Sequence, residues 1–200
     1  MREAIVERNT NETKIRLELY LDDNAAVPLP ENEIHTGIGF FDHMLNLFAF
    51  RAGATLTVEC NGDIEVDGHH TVEDVGIALG QALAQALGDK YGINRYGEAT
   101  IPMDESLARC VIDISGRPYL IFSVPDGKFP YERVGDFETE LTEEFFRAMA
   151  FNAGITMHLS VEYGRNTHHM IEALFKAAGA SLKQATEIVG TGVPSTKGVL

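Results

Sequence analysis

The chain repeats itself, and this limits its fold more than any other feature. Phe48-Ala49-Phe50-Arg51-Ala52-Gly53-Ala54-Thr55 aligns with Met149-Ala150-Phe151-Asn152-Ala153-Gly154-Ile155-Thr156 at an offset of 101, with five identities. His69-His70-Thr71-Val72-Glu73 aligns with His168-His169-Met170-Ile171-Glu172 at an offset of 99. At that second offset Ala78, Gly80, Leu83, Gln85 and Ala86 meet Ala177, Gly179, Leu182, Gln184 and Ala185. A long fixed period means one structural unit used twice. The halves are read as residues 1–95 and 96–200, forming one compact unit with a C-terminal tail from about residue 190.

Each half carries both strand and helix periods. Lys14 to Leu21 alternates apolar and polar residues, as a half-buried strand does. Arg109 to Ile114 and Tyr119 to Val124 alternate likewise, and Ala54 to Cys60 and Ile155 to Val161 read as strands. Phe40 to Phe50 and Glu138 to Phe151 are apolar at helical spacing. A small-residue helix follows in each half, from about Val72 to Leu87 and from about His169 to Ile188. Asp22 to Glu33 and Ser123 to Asp136 read as loops, marked by Pro28, Pro30, Pro125, Gly127 and Pro130. Mixed strands and helices in two copies predict an α+β fold, an internally duplicated β/α sandwich with mostly antiparallel sheets under helices.

Charge narrows the function. There are 16 Lys and Arg against 30 Asp and Glu, a formal net charge of -14. Nucleic-acid binders present a basic patch or stripe, so nucleic acid and anionic membranes are excluded as partners. No segment reaches the roughly 18 apolar residues of a membrane helix. Cys60 and Cys110 form no CxxC pair and read as buried thiols of a reducing compartment, which points to the cytoplasm.

The chemistry sits in His-His-x-x-Glu, present once per half at the same helix start. Glu73 lies one turn beyond His69 and His70, and Glu172 one turn beyond His168 and His169. Adjacent histidines point about 100° apart, so a pair does not easily share one ion. The simple solution is two ions, each taking one histidine from each pair, with the two helices facing each other within a subunit or across an interface. Imidazole with carboxylate suits Mn, Fe, Zn or Co. His43, mapped by the 101 offset, meets Glu144, so the two are matched candidates for a further ligand. His158 competes with Glu144, but its repeat partner is Thr57; it is read as supporting a ligand or touching substrate. His35 is read as an ordinary loop histidine.

Thr36-Gly37-Ile38-Gly39-Phe40-Phe41-Asp42-His43-Met44 resembles the first signature of the imidazoleglycerol-phosphate dehydratase family. Asp67-Gly68-His69-His70-Thr71-Val72-Glu73-Asp74 and Gly164-Arg165-Asn166-Thr167-His168-His169-Met170-Ile171-Glu172-Ala173 resemble its two metal signatures. Pro194-Ser195-Thr196-Lys197-Gly198 resembles its C-terminal tail. The resemblance implies a fold like the second domain of ribosomal protein S5, in two copies. It also implies two Mn²⁺ per active site, sites at subunit contacts and a 24-subunit homo-oligomer. Three departures stand out: Gly68 where the family often has Asp, Glu144 where some members have His, and the Asp22 to Glu33 loop in place of the more common Gly-rich form.

The implied reaction dehydrates D-erythro-imidazoleglycerol phosphate to imidazole-acetol phosphate in histidine biosynthesis. The proton to be lost is not acidic, so the deprotonated ring, held by the metals, must act as the electron sink. Glu172 leads as the proton-transfer group, with Glu73 as its repeat counterpart. Glu12 resembles a family residue that holds the substrate. Arg95, Arg117, Ser195 and Lys197 match positions suited to the phosphate. Two rival classes are a non-catalytic metal-binding or storage shell and a dinuclear metallohydrolase. The first calls for four long helices and the second for Asp-rich strand ends, and the strand pattern and composition here fit neither.

Overall fold

The computed structural model describes residues 2–22 and 31–198. The first half runs β1 (Glu3–Asn9), β2 (Thr13–Tyr20), β3 (Glu33–His35), α1 (Gly39–Ala52), β4 (Thr55–Gly62) and α2 (His69–Leu87). The second runs β5 (Tyr96–Met103), β6 (Ser106–Asp113), β7 (Tyr119–Ser123), a small hairpin of β8 (Arg133–Val134) and β9 (Phe137–Glu138), α3 (Leu141–Ala153), β10 (Thr156–Tyr163) and α4 (Thr167–Thr186). The two main sheets are ordered β1-β2-β4-β3 and β5-β6-β10-β7. Their connectivity is the same. In each, one edge strand, β3 or β7, pairs in parallel and the other pairings are antiparallel.

Alternation decides which face each sheet buries. In β2, Thr13, Ile15, Leu17 and Leu19 turn inward while Lys14 and Arg16 are exposed. In β10, Met157, Leu159 and Val161 turn inward and His158 outward. The inner faces are covered by helices: α2 lies on β1 and β2, and α4 on β5 and β6. The halves then exchange partners, because α1 packs on α4 and α3 packs on α2. The result is four layers, sheet-helices-helices-sheet. Phe41 of α1, Phe145 and Phe146 of α3 and Phe175 of α4 meet in its middle, with ring centroids 4.8–5.3 Å apart. Each such buried ring contributes roughly 1.5–3 kcal/mol, so the two halves share one core.

The repeated residues have physical reasons. Gly53 and Gly154 end α1 and α3 in the left-handed region, at φ 63° and 66°, where a Cβ would be strained. Gly80 and Gly179 mark the helix crossings. A Cβ on Gly80 would stand 2.5 Å from the Met149 carbonyl oxygen, and one on Gly179 would stand 2.4 Å from that of Phe48. Phe48 and Met149 are themselves repeat partners, so the two crossings are equivalent.

Several elements depart from the sequence reading. Strand β5 was not anticipated; its first two inward residues, Gly97 and Ala99, are small where α4 crosses, and a Cβ on Gly97 would meet the Ser181 carbonyl. Strand β1 was also unread. His35 belongs to β3 rather than to a loop. The expected loop at 22–33 lies mostly outside the described residues, and its last residue, Glu33, opens β3. The 123–136 segment carries a short 3₁₀ turn, Pro125–Gly127, and strand β8. Helix α3 begins at Leu141 rather than Glu138, which the β8–β9 pairing claims.

Candidate metal centre

Local chemistry places each histidine at a helix start. Asp42 accepts from the backbone N–H and the hydroxyl of Thr36, at 2.9 and 2.5 Å. That bracing fixes the first turn of α1 and aims His43 one residue later. The His69 N–H donates to Asp67 at 2.8 Å, opening α2. The Asn166 side chain caps α4 by accepting from the His169 N–H.

One group of three metal-capable side chains forms among the described residues: His43 of α1 with His168 and Glu172 of α4. Their ligand atoms all lie within 4.8 Å of one another. Glu172 Oε2 stands 3.1 Å from His168 Nε2 and 3.9 Å from His43 Nε2. Two donors about 2.1 Å from an ion stand about 3 Å apart at right angles and about 4.2 Å apart when opposite. The two Glu172 distances fall in that range, and the donor chemistry suits a divalent cation. Glu172 is buried, and the two imidazoles are half exposed, so free coordination positions face outward. Phe40 packs its ring against the His168 ring at 5.0 Å and holds it in place.

Burial pushes the Glu172 carboxyl upward, but the Lys176 ammonium and then His168 outweigh it, leaving the carboxyl below its ordinary value. Lys176 Nζ donates to Glu172 Oε1 at 2.5 Å. The carboxylate is thus held as an anion, which suits a ligand.

The second histidine of each pair points elsewhere and has its own carboxylate. His169 Nδ1 is 2.7 Å from Glu105, which also accepts the backbone N–H groups of Arg165 and Asn166. These contacts, His169 foremost, hold the Glu105 carboxyl far below the usual range. His70 Nδ1 is 3.1 Å from Asp63, whose hydrogen bond raises the His70 pKa. A carboxylate on Nδ1 leaves Nε2 to face outward, as metal-ligating histidines require. Beyond Nε2 stand Glu12, 3.9 Å from His70, and Asp104, 3.7 Å from His169.

The equivalent first-half set is more open. His69 Nε2 lies 4.0 Å from Glu73. Glu144 lines the same cleft as His69, of about 890 Å³, and sits 3.8 Å from Arg147. The principal helix partner of α2 is α3, and that of α4 is α1. Within the chain, partner exchange puts His43 of α1 beside His168 of α4.

Among the remaining predicted residues, Arg95 donates to Asp113 at 2.7 Å and to the Pro194 carbonyl at 3.0 Å. Arg117 lies 3.8 Å from the same Asp113. The structure thus brings Arg95, Arg117 and the start of the tail to one corner, while the Lys197 N–H donates back to Ser195 at 3.2 Å. His158 stands on the outer face of its sheet, and among the described residues it makes no side-chain hydrogen bond or ion pair. Sequence reasoning missed Asp63, Asp104, Glu105, Asp113 and Lys176. A turn signal, Asn61-Gly62-Asp63, marked only the first.

The chain is a doubled α+β sandwich that gathers histidine and glutamate side chains at helix starts, three of them close enough to hold a metal ion. The family model for imidazoleglycerol-phosphate dehydratase matches residues 36–182. A relative of that name from Streptococcus mutans serotype c is 55% identical over 100% of both chains. One from Exiguobacterium sp. is 56% identical over 99% of this chain and 98% of its own. The crystal structure of the Staphylococcus aureus protein aligns with a TM-score of 0.82 at 43% identity, covering 94% of this chain and 99% of that one. That from Pyrococcus furiosus, in complex with (S)-C348, aligns at 0.81 and 36% identity, covering 98% and 100%. The chain belongs to the imidazoleglycerol-phosphate dehydratase family. It is an enzyme, a hydro-lyase.

Proposed function

We propose that this chain dehydrates imidazoleglycerol phosphate to imidazole-acetol phosphate, a step of histidine biosynthesis, with two Mn²⁺ ions per active site. The observation that carries the reading is the His43–His168–Glu172 group, since three converging donors with open positions form the half of a substrate-binding ion site that one chain can supply. Bound there, the ions supply Lewis acidity and a template for the azole ring.

The chain's own residues divide the remaining work. His43, His168 and Glu172 hold one ion, and His69, Glu73 and Glu144 hold its repeat counterpart. His70 and His169, turned away from these groups, reach ions held by neighbouring copies. Sites shared in this way call for a homo-oligomer, which the family resemblance puts at 24 subunits. Arg95, Arg117, Ser195 and Lys197 take the phosphate, and Asp113 keeps both guanidinium groups at that corner. Glu12, 3.9 Å from His70, helps hold the substrate. Glu172 and Glu73 remain the proton-transfer candidates; Lys176 favours Glu172 as ligand first. Halves 1–95 and 96–200 act as one unit, and no helix among the described residues is long and apolar enough to cross a membrane. We place the enzyme in the cytoplasm, where free Cys60 and Cys110 stay reduced.

The test is a Glu172→Gln variant loaded with Mn²⁺, with ion content measured beside product formation. Loss of one ion and of turnover is expected. Full Mn²⁺ content with near-normal turnover would remove Glu172 from the site, and metal uptake by the wild type with no product would favour a storage role.

A further inference from the structure

We propose that Asp74 is a positioning residue, which sets Glu12 through a hydrogen-bond relay across the β1–β2 turn; the proposal rests on Glu12 being the substrate contact. Asp74 follows Glu73 on α2 and is only 6% exposed. Its repeat counterpart is Ala173, so the duplicated scaffold does not need a carboxylate there. Something particular to the first half does.

The partners show what that is. Asp74 Oδ1 accepts from Arg8 Nε and Nη2 at 2.9 and 2.8 Å. Its Oδ2 accepts from the hydroxyl of Thr13, which is 1% exposed. With its proton committed to Asp74, Thr13 Oγ1 is left to accept from Thr10 Oγ1, 3.2 Å away. Thr10 Oγ1 in turn accepts the backbone N–H of Glu12 at 3.1 Å and that of Thr13 at 2.9 Å. From the other side the Glu12 carbonyl accepts the N–H of Asp63 at 3.1 Å, and the Asp63 carboxylate fixes His70. Glu12 and His70 therefore share one hydrogen-bonded frame anchored on α2. The Glu12 side chain itself is half exposed and makes no hydrogen bond among the described residues. Its aim depends on its backbone, and the Asp74 relay holds that backbone.

A positioning role makes a specific kinetic claim. Misplacing a reacting group by about 1 Å costs up to about a hundredfold in rate, and a residue that acts through another loses its effect once that other is gone. The experiment is a double-mutant cycle of Glu12→Gln, Asp74→Ala and the pair, with steady-state kinetics, Mn²⁺ content and melting curves on each. Expected is an Asp74→Ala kcat lower by about tenfold to a hundredfold at unchanged Mn²⁺ content, but a further loss under about twofold in the Glu12→Gln background. Equal losses in both backgrounds would mean general destabilisation and overturn the proposal, as would an unchanged kcat beside a crippled Glu12→Gln. Normal turnover by Glu12→Gln would instead sink the assignment of Glu12 itself. Should Asp74→Ala not fold, Thr13→Val cuts the relay while keeping volume and the Arg8–Asp74 pair, and the same cycle decides.

Discussion

Replacing Gly179 by alanine tests how the fold builds the metal centre. The new Cβ would lie 2.4 Å from the Phe48 carbonyl oxygen, 3.0 Å from Arg51 Cβ and 3.1 Å from the Ala52 nitrogen. Real Cβ contacts stay beyond 3.0 Å, so α1 and α4 must part by at least 0.6 Å there, and the flanking atoms block a sideways slip. Overpacking of this kind costs about 1–3 kcal/mol, while alanine in place of glycine returns up to about 1 kcal/mol of helix propensity. Those figures leave a net loss of about 0–2 kcal/mol, and a contact 0.6 Å too short against backbone puts it in the upper half, about 1–2 kcal/mol, which lowers Tm by roughly 2–8 °C. His43 sits five residues from Phe48, about 7.5 Å along α1, so the wedge also draws it from His168 and Glu172. Gly80→Ala is the control: it wedges α2 from α3 at a comparable 2.5 Å but leaves the α1–α4 pair alone. Melting curves and Mn²⁺ titrations should show both variants less stable, and only Gly179→Ala with weakened binding at the α1–α4 group. An unchanged Tm for Gly179→Ala, or undiminished Mn²⁺ binding at the α1–α4 group in that variant, would refute the reasoning; Gly80→Ala should weaken the α2–α3 group instead.

Other consequences follow from the same geometry. Glu105→Gln frees the His169 ring and should weaken Mn²⁺ binding about 10–100-fold, read by isothermal titration; an unchanged affinity would take Glu105 out of the site. Burial pushes the thiols of Cys60 and Cys110 up to about 11 and about 12, so neither should be alkylated by iodoacetamide in the native enzyme at pH 8; prompt labelling of either contradicts that burial. Arg2, hydrogen-bonded to Asp22 and to the Thr186 carbonyl, holds the Asp22 carboxyl below its ordinary value. Its stabilising effect is present above the unfolded pKa of about 3.9 and lost as pH falls through the folded value. Asp22→Asn should therefore melt lower than wild type at pH 7, with the gap closing toward pH 3; a gap that persists in acid would assign the loss to something other than charge.

The helices that carry the site were legible because their apolar spacing is strong and repeated. His43 was legible as a donor because the 101 offset gave it an acidic partner in Glu144. The exchange of helix partners between halves was not, since α1 and α4 are far apart in sequence and periodicity says only that each has an apolar face. The carboxylates behind His70 and His169 were hidden for a related reason. Glu105 sits in the β5–β6 turn, and β5 escaped notice because Gly97 and Ala99 face α4 where large apolar residues would mark a strand. The outward aim of His158 could have been read: it alternates with Met157 and Leu159, which face the core.

The positions of the ions decide how the centre is built. Anomalous diffraction at the manganese edge, from crystals of the Mn²⁺-loaded enzyme, locates them directly. Two peaks per active site are predicted, one bounded by His43, His168 and Glu172 and one by His69, Glu73 and Glu144, with His70 or His169 of a neighbouring copy completing each. Fully occupied peaks elsewhere, with these side chains left uncoordinated, would contradict that arrangement.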